Sequence, residues 1–409
     1  MIPLTLAEVA ALAPGELDAA PWADEVTGVR IDSRRIEEGD LFVAVGAGAD
    51  FRPHARARGA AATLVPADAF AALAALGRSI RDRSSARVVG ITGSSGKTSA
   101  KDILAAICMP RARTVAAEAS YNNELGVPLT LCRLEDDTEI CILELAMRGL
   151  GQIAALCEIA RPDVGIVTNV GPAHLELVGT LEAVAQAKSE LIEALPAGGT
   201  AIVPDGFPVE RDDVEVVRFG EPESRVEGDA TVIRFDGRGI EFPFTARHQA
   251  RNALAALHAA RVLGLAVEGP IDVAFSRWRG EEIPLPGGGL LINDAYNANP
   301  LSMQVALEHL VERAAGRRAV AVLGDMAELG PDGPRLHREV GELASQLGIE
   351  IIGVGELARG YDGAVWARSA EEAIPVVESA VRPGDCVLVK ASRAIGLDLI
   401  AEVLAAVRA

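Results

Sequence analysis

The strongest chemical signal in the sequence is a glycine-rich stretch between an apolar run and a predicted helix. Residues 88–98 read VVGITGSSGKT, so a strand should lead into a small turn and then into a helix that begins near Lys97 and Thr98. Such a turn directs backbone N–H groups at phosphate oxygens, while the lysine neutralises phosphate charge and the threonine hydroxyl binds Mg²⁺. Ile91 stands where the strict motif has its first glycine, and Gly93 supplies the flexibility of the turn instead. The pattern predicts a nucleoside triphosphate site formed by Thr92, Gly93, Ser94, Ser95, Gly96, Lys97 and Thr98.

Three other polar residues in this region are candidates for the same site. Glu144 ends the apolar run ICILE and His174 follows VGIVTNV, so both should lie at the carboxyl edge of a parallel sheet, where ligands bind. A carboxylate there can bind Mg²⁺, whereas histidine is an unusual magnesium ligand and could serve only to orient its loop. Lys188 lies in the helical stretch EAVAQAKSELIEAL, where a solvent-exposed lysine is the ordinary expectation.

A second group of polar residues follows three predicted strands in the last third of the chain. The stretches are DAYNANP at 294–300, GDM at 324–326 and KASR at 390–393. All three should fall on one rim of a sheet, where ligands bind, although each residue alone could be a helix N-cap or a loop end. The candidates in this group are Asp294, Asn297, Asn299, Asp325, Lys390, Ser392 and Arg393.

Two parallel sheets are needed to position these residues, and apolar runs alternate with helical stretches accordingly. Strands are predicted at 88–91, 114–117, 140–145, 164–169 and 200–203. A break at PLPGGG precedes a second, Rossmann-like alternation. The polar stretch 81–87 reads as a linker, and 214–244 as added β structure. The predicted fold class is α/β in three domains: a small N-terminal α/β domain at 1–85, a central P-loop ATPase domain at 86–285 and a Rossmann-like domain at 286–409.

Composition narrows the classes of function. The 409 residues carry a net charge of −19 and only 4% aromatic residues, which disfavours nucleic-acid binding through phosphate neutralisation or base stacking. No stretch of about 20 apolar residues is free of charge, and the N-terminus lacks a basic region, so neither membrane insertion nor secretion is expected. The five cysteines form no C-x-x-C pair and suit a reducing cytoplasm as buried hydrophobic residues.

Lysine is rare in this chain, so each lysine is a candidate for a specific role. Of 39 basic residues, only Lys97, Lys101, Lys188 and Lys390 are lysines, and the others are arginines. Codon bias explains such a composition in general, but a compact or deprotonatable amine is a requirement that arginine cannot meet.

In order along the chain, the motifs resemble those of the Mur ligases, the ATP-dependent amide-forming enzymes of peptidoglycan precursor synthesis. The matching stretches are DSRRIEEGDLFVAV (32–45), ITGSSGKT (91–98), YNNELGVPLTL (121–131), LELAMRGLGQI (143–153), VTNVGPAHLE (167–176), AQAKSEL (185–191), ARHQARNALAAL (246–257), DAYNANPLSM (294–303), LGDMAELG (323–330) and LVKASRA (388–394). YNANP together with GDMAELG points to the member that adds D-alanyl-D-alanine.

This resemblance implies a cytoplasmic, monomeric ligase that acts through an acyl phosphate. Its substrates would be ATP, UDP-N-acetylmuramoyl-tripeptide and D-alanyl-D-alanine, with two Mg²⁺ ions. Glu144 and His174 match the family's magnesium-binding residues, beside Thr98. Lys188 matches a lysine that the family commonly carries as a carbamate, an anion that no arginine could provide.

The remaining site residues are also implied by the resemblance. Asn252 would lie near adenine, while Arg279 and Asp294 would reach ATP from the hinge and from the C-terminal domain. Substrate contacts are expected from Ser33, Arg34, Asn122, Asn123, Asn297, Asn299, Asp325, Lys390, Ser392 and Arg393.

The sequence departs from the family pattern at two sites. GADFRPH replaces the usual DGHDF in the first domain, and HQARN replaces H-N-x-x-N before Asn252. Three alternatives stay open: another Mur-type or folylpolyglutamate-synthetase-like ligase, a P-loop switch or motor that hydrolyses ATP without an amine acceptor, and a non-catalytic binding module.

Overall fold

The first part of the chain folds around a small mixed sheet. The structure, a computed structural model, describes residues 1–172, 175–363 and 365–406. The elements of this part are β1 (Leu4–Thr5), α1 (Leu6–Leu12), β2 (Gly15–Ala19), β3 (Glu25–Val26), β4 (Gly28–Arg30), β5 (Asp40–Val43), α2 (Arg52–Ala57), β6 (Ala62–Pro66) and α3 (Ala69–Arg83). The sheet has the order β2-β6-β5-β4, with β2 antiparallel to its neighbour.

Helix α3 corrects the predicted linker at 81–87. The helix begins at an Asp68 cap and continues through Arg83, so about half of the polar stretch is helical. The Arg81 guanidinium donates to the carbonyls of Ala160 and Arg161, which lie in the central part of the chain. Arg81 thus joins the first and central parts of the molecule through hydrogen bonds to backbone carbonyls.

The central part is built on a six-stranded sheet, in which every strand pairing is parallel. Its elements are β7 (Arg87–Thr92), α4 (Lys97–Cys108), β8 (Thr114–Ala116), α5 (Gly126–Leu131), β9 (Ile140–Glu144), α6 (Gln152–Ala160), β10 (Val164–Val167), α7 (Leu175–Val178), α8 (Leu181–Glu193), β11 (Thr200–Pro204), β12 (Glu215–Phe219), β13 (Ser224–Glu227), β14 (Ala230–Phe235), β15 (Arg238–Phe242) and α9 (Arg247–Val262). The sheet order is β12-β11-β10-β7-β9-β8. All five strands predicted for this sheet are present; β12 joins it as a sixth, whereas β13, β14 and β15 form a separate antiparallel sheet.

The last part contains a second six-stranded sheet. Its elements are β16 (Glu281–Leu285), β17 (Gly289–Asn293), α10 (Pro300–Ala314), β18 (Ala319–Gly324), α11 (Gly333–Gln346), β19 (Glu350–Val354), β20 (Val365–Ala367), α12 (Ala370–Ala380), β21 (Cys386–Lys390) and α13 (Asp398–Ala406). The order is β16-β17-β21-β18-β19-β20, parallel except for β16. The two edge strands β16 and β20 were not predicted, because β16 is polar and largely exposed and β20 is only three residues long.

The predicted α/β class is confirmed, and its cause lies in the strands. Neighbouring residues of β7 pack into different cores, with Val88 on one face of the sheet and Val89 on the other. Strands covered by helices on both faces need such uninterrupted apolar runs. The domain bounds 1–85, 86–285 and 286–409 stay predictions. No helix in the described part of the chain is both long and apolar enough to span a membrane.

Candidate active site

The glycine-rich turn between β7 and α4 is shaped by two glycines that no other residue could replace. Gly96 has a φ of +78°, and a Cβ there would lie 2.5 Å from Oδ1 of Asn252. At Gly93 a Cβ would lie 1.8 Å from Oγ1 of Thr168. Gly96 also precedes α4 without a side-chain cap, so the first N–H groups of the helix are left for a ligand. This local geometry suits a bound phosphate.

Two residues that the sequence analysis did not single out hold this turn in place. The Asn169 side chain accepts a hydrogen bond from Ser95 N (2.9 Å), and the Thr168 hydroxyl donates to Ser95 O (2.6 Å). Both follow β10, which lies beside β7 in the sheet. Their position in VTNV, directly after a buried strand, is the signal that could have identified them.

Next to the turn, a chain of hydrogen bonds surrounds the carboxylate of Glu144. Glu144 is buried, and its two oxygens accept from the Thr98 hydroxyl and from the Asn122 amide, each at 2.8 Å. Lys97 donates to the carbonyl of Gly93 (2.7 Å), and burial lowers the pKa of its ammonium group. The sequence-predicted Lys97, Thr98, Asn122 and Glu144 are therefore brought together.

Arg279 approaches the same group from the segment that connects the two large sheets. Its guanidinium donates to the Thr98 hydroxyl (3.0 Å) and to the Ser120 hydroxyl (3.4 Å). The guanidinium also lies over the ring of Tyr296, 3.8 Å from its centroid. A cation stacked on an aromatic face is attracted to it, so Tyr296 helps to hold the arginine in this orientation.

The C-terminal sheet contributes a rim of polar residues that faces the turn. Lys390 is buried, forms an ion pair with Asp294 and donates to the carbonyl of Asn297 (2.9 Å). Asn299 caps α10 and donates from its side chain to the carbonyl of Ser94 (3.3 Å). Because this bond joins the rim to the glycine-rich turn, the two sheets enclose a common space.

That space is a cavity of about 660 Å³, and most of the predicted residues line it. The predicted residues on its wall are Ser94, Ser95, Gly96, Lys97, Thr98, Asn122, Asn123, Glu144, Asn252, Arg279, Asp294, Asn297, Asn299, Lys390, Ser392 and Arg393. The structure therefore brings both predicted groups, one from each sheet, to a single cavity.

Three of the predicted substrate residues lie elsewhere. Asp325 does not line the cavity, because its carboxylate accepts a hydrogen bond from Ala358 N (2.7 Å) within the C-terminal part. Ser33 and Arg34 belong to the first part of the chain. Ser33 is buried and contacts the His54 ring, whereas the Arg34 side chain is exposed and pairs with Asp32. Thr92 and Gly93 do not line the cavity, and His174 lies outside the described residues.

Lys188 differs from the expected solvent-exposed helix lysine. It is only 2% exposed, and its pKa is lowered to about 7 by burial and by the nearby charge of Lys97. No carboxylate partner of its amine is found among the described residues, and it is not part of the cavity wall. About half of the amine is therefore neutral near pH 7, whereas an ordinary lysine is almost fully protonated there.

The residues present fit a magnesium ion better than a transition metal. In the described part of the chain, no three histidine, cysteine or carboxylate side chains gather around one point. The hydroxyl of Thr98 and the carboxylate of Glu144 instead offer adjacent oxygens beside a phosphate-binding turn. Mg²⁺ is typically bound by one or two protein oxygens, with substrate phosphates and water completing its shell.

Comparison with known proteins agrees with this architecture. Residues 91–260 match the Mur ligase middle domain, and 278–393 match the Mur ligase, glutamate ligase domain. The UDP-N-acetylmuramoyl-tripeptide--D-alanyl-D-alanine ligase of Mycobacterium tuberculosis (strain ATCC 25618 / H37Rv) is 36% identical, over 99% of this chain and 98% of that protein.

Solved structures extend the likeness to the whole fold. The crystal structure of MurF from Acinetobacter baumannii matches with a TM-score of 0.84 and 26% identity, over 99% of each chain. The MurF ligase from Thermotoga maritima, solved in complex with ADP, matches with a TM-score of 0.80 and 28% identity, over 93% of this chain and 97% of that one. The chain belongs to the Mur ligase family.

Proposed function

We propose that this protein uses ATP to join D-alanyl-D-alanine to UDP-N-acetylmuramoyl-tripeptide in peptidoglycan precursor synthesis. The observation that carries the proposal is the shared cavity, in which a phosphate-binding turn faces a polar rim from a second sheet. A switch or motor would need the turn but not the rim. The M. tuberculosis relative is named for these two substrates, and the T. maritima structure contains ADP.

The reaction that suits this cavity has two steps. A carboxylate oxygen of the tripeptide attacks the γ-phosphorus of ATP, which forms an acyl phosphate and releases ADP. The amine of the dipeptide then attacks the acyl carbon, loses a proton and expels phosphate. Lys97 and the N-terminal N–H groups of α4 stabilise the phosphate charge, which otherwise repels the incoming carboxylate. Enclosure between two sheets excludes water that would hydrolyse the acyl phosphate.

We assign Thr98, Glu144, His174 and a carbamylated Lys188 to the binding of two Mg²⁺ ions. These ions would supply positive charge that screens the phosphate oxygens. A carbamate forms only from a neutral amine, and burial of Lys188 favours that neutral form. Carbamylation would also convert the amine into an anionic oxygen donor, which suits a hard cation such as Mg²⁺.

The substrates are assigned to different walls of the cavity. ATP would contact the residues of the turn, Asn252, Arg279 and Asp294. The acceptor and donor peptides would contact Asn122, Asn123, Asn297, Asn299, Lys390, Ser392 and Arg393, all of which line the cavity. Ser33 and Arg34 would contact the UDP-sugar from the first part of the chain. Asp325 would act on substrate only indirectly, because its backbone carbonyl accepts a hydrogen bond from Ser392 N (3.0 Å).

We also propose a cytoplasmic, monomeric enzyme. All five cysteines are buried and unpaired, as is usual in a reducing compartment. Strong net negative charge opposes non-specific self-association. Analytical ultracentrifugation would test the monomer.

A coupled phosphate-release assay tests the function. The purified protein is given ATP, Mg²⁺ and UDP-N-acetylmuramoyl-tripeptide, with or without D-alanyl-D-alanine, and the products are weighed by mass spectrometry. Phosphate release that needs both substrates, with a pentapeptide product, is the expected result. Lys97→Met should lower kcat by roughly 100-fold or more while the melting temperature changes little. Phosphate release that ignores the dipeptide would contradict the proposal and favour another acceptor or a plain NTPase.

A further inference from the structure

One of the four lysines, Lys101, has no part in the proposed chemistry, yet it is buried with its amine fully engaged. It is 3% exposed and donates to the carbonyls of Ala117 and Ala119, each at 2.9 Å. Its third contact is an ion pair with Asp102, at 2.9 Å. The segment it holds is strained, because Ala119 has a φ of +46°, a conformation that costs energy for a residue with a Cβ.

Asp102, the next residue on α4, holds a different segment. Its carboxylate accepts hydrogen bonds from the backbone N–H of Ser276 (2.8 Å) and from the Ser276 hydroxyl (3.2 Å). Ser276 lies in the connection between the two large sheets, three residues before Arg279. The pair Lys101–Asp102 therefore anchors two segments that are far apart in sequence.

Both anchored segments lead to the guanidinium of Arg279. The segment held by Lys101 continues to Ser120, whose hydroxyl accepts from Arg279. The segment held by Asp102 continues to Arg279 itself. On α4, Lys101 and Asp102 lie three and four residues after Thr98, so they share its side of the helix one turn further along. One helix thus presents Thr98 to Arg279 and fixes the backbone on either side of that contact.

We propose that Lys101 and Asp102 are positioning residues that aim Arg279 at the terminal phosphate of the bound nucleotide. The inference rests on the proposed function, since it assumes that ATP binds at the glycine-rich turn. A flexible connection between two sheets would let the long Arg279 side chain sample many orientations. Anchoring the connection at Ser276 and its contact at Ser120 removes much of that freedom before the nucleotide arrives.

The geometry also accounts for a lysine at this position in an arginine-rich chain. A single ammonium group donates in three directions, here to two carbonyls and a carboxylate within a buried space. The planar guanidinium of arginine has a fixed fork and a larger head, so it cannot make the same three contacts in the same volume.

A double-mutant cycle tests the inference. Asp102→Asn and Lys101→Met are each combined with Arg279→Lys, and kcat and the affinities for ATP and ADP are measured for every variant. Arg81→Met is the matched control, because Arg81 is another largely buried basic side chain that anchors carbonyls at a joint, but away from the cavity. Melting temperatures identify variants that do not fold, and Asp102→Asn, which keeps the shape of the side chain, serves if Lys101→Met fails.

We expect Asp102→Asn to lower kcat about tenfold and to reduce the preference for ATP over ADP, because a small misplacement of an aligned group has an effect of this order. In the Arg279→Lys background the same substitution should change kcat less than about twofold, because the aligned group is already gone. The loss caused by Arg81→Met should instead be the same in both backgrounds.

Three outcomes would overturn the inference. If the kcat losses of Asp102→Asn and Arg279→Lys multiply in the double variant, the pair Lys101–Asp102 only stabilises the fold. An unchanged ATP-to-ADP preference in a folded Asp102→Asn variant would lead to the same conclusion. If the wild-type protein binds no ATP, this inference fails together with the proposed function, whereas ATP binding without ligation to the dipeptide contradicts the function alone.

Discussion

Single residues of this site are oriented by each other before any ligand is present. Both oxygens of Glu144 have donors, one from Thr98 and one from Asn122, and Thr98 accepts in turn from Arg279. A buried carboxylate with satisfied oxygens keeps one orientation, whereas an unpaired one would be costly to bury. The exception at this scale is Lys188, which is buried and has no carboxylate partner within residues 1–172, 175–363 and 365–406. Its pKa of about 7 leaves part of the amine neutral and available for reaction.

The state of Lys188 gives a direct prediction. With ¹³C-bicarbonate at pH 8, the protein should show one carbamate resonance by NMR, and Lys188→Met should abolish it. The signal should weaken at pH 6, because an amine with a pKa of about 7 is then mostly protonated and cannot react with CO₂. Lys101→Met is the matched control and should keep the resonance, since the buried Lys101 amine is already held by Asp102. A resonance that persists in Lys188→Met would contradict the assignment.

At the scale of elements, close approaches between helices and turns decide which residues are tolerated. Gly341 lies inside α11, where alanine would normally be the better helix former by about 1 kcal/mol. A Cβ at Gly341 would, however, lie 2.3 Å from the carbonyl oxygen of Tyr361 in the adjoining short helix Leu357–Tyr361. Backbone atoms cannot move aside as a side chain can, so packing must override helix propensity here.

Gly341→Ala should therefore lower the free energy of unfolding of the C-terminal part by about 1–3 kcal/mol, the usual cost of overpacking. Gly333→Ala, in the first turn of the same helix, is the matched control. Its Cβ would make only ordinary contacts, at 3.6 Å from Leu357, and should be neutral or slightly stabilising. Urea denaturation followed by circular dichroism measures both, and equal effects of the two substitutions would exclude the clash with Tyr361.

Packing between α9 and β14 makes the fold sensitive to acid. His258 on α9 lies edge-to-face against Phe235 of β14, with ring centroids 5.1 Å apart. Burial, followed by the charge of Arg261, lowers its pKa to about 4 from 6.5. As the pH falls, His258 therefore takes up a proton in the unfolded chain before it does so in the folded chain. The free energy of unfolding is unaffected above pH 6.5, decreases as the pH falls towards 4, and has lost the full contribution below pH 4.

We expect His258→Gln to lose less stability than the wild type between pH 6.5 and pH 4. The difference should be roughly 1–3 kcal/mol, because one pKa unit corresponds to about 1.4 kcal/mol and part of the shift is screened by solvent. Thermal melting in a series of buffers measures it. Parallel curves for the two proteins would show that His258 does not contribute.

The whole molecule is arranged so that the second large sheet closes over the glycine-rich turn. Asn299 donates to the carbonyl of Ser94, and Leu301 packs so closely on Gly171 that a Cβ there would lie 2.8 Å from the leucine Cδ2. Both residues stand at the start of α10, which therefore acts as the contact between the rim and the turn. This contact therefore helps to enclose the cavity between the two sheets.

Leu301→Ala should weaken that contact and lower kcat by roughly threefold to tenfold, a loss of about 1 kcal/mol in a partly buried apolar contact. ATP affinity should change less, because the turn itself is unaltered. Leu301→Met keeps the volume and is the control. Steady-state kinetics, together with small-angle scattering of the nucleotide-bound protein, measures both effects. Equal kinetics for the alanine and methionine variants would argue against closure through α10.

The sequence by itself determined the alternation of strands and helices, because parallel strands buried on both faces must be continuous apolar runs. It also identified the turn at 93–96, and most of the site residues predicted from it line the cavity. The sequence did not predict the edge strands β16 and β20 or the helical conformation of 81–83, since short or polar segments carry a weak local signal.

Other features depended on which strands became neighbours. β10 lies beside β7 although the β7 and β10 segments are about 70 residues apart, and only this order brings Asn169 to the glycine-rich turn. The sequence predicted Asp325 at the rim, but its carboxylate accepts a hydrogen bond from the backbone N–H of Ala358 instead. Lys101 gave no local sign of its role, because the carbonyls of Ala117 and Ala119 that accept from it lie in a loop that meets α4 only in the folded chain. Contacts between segments distant in sequence are set by packing and hydrogen bonding in three dimensions, which no local pattern encodes.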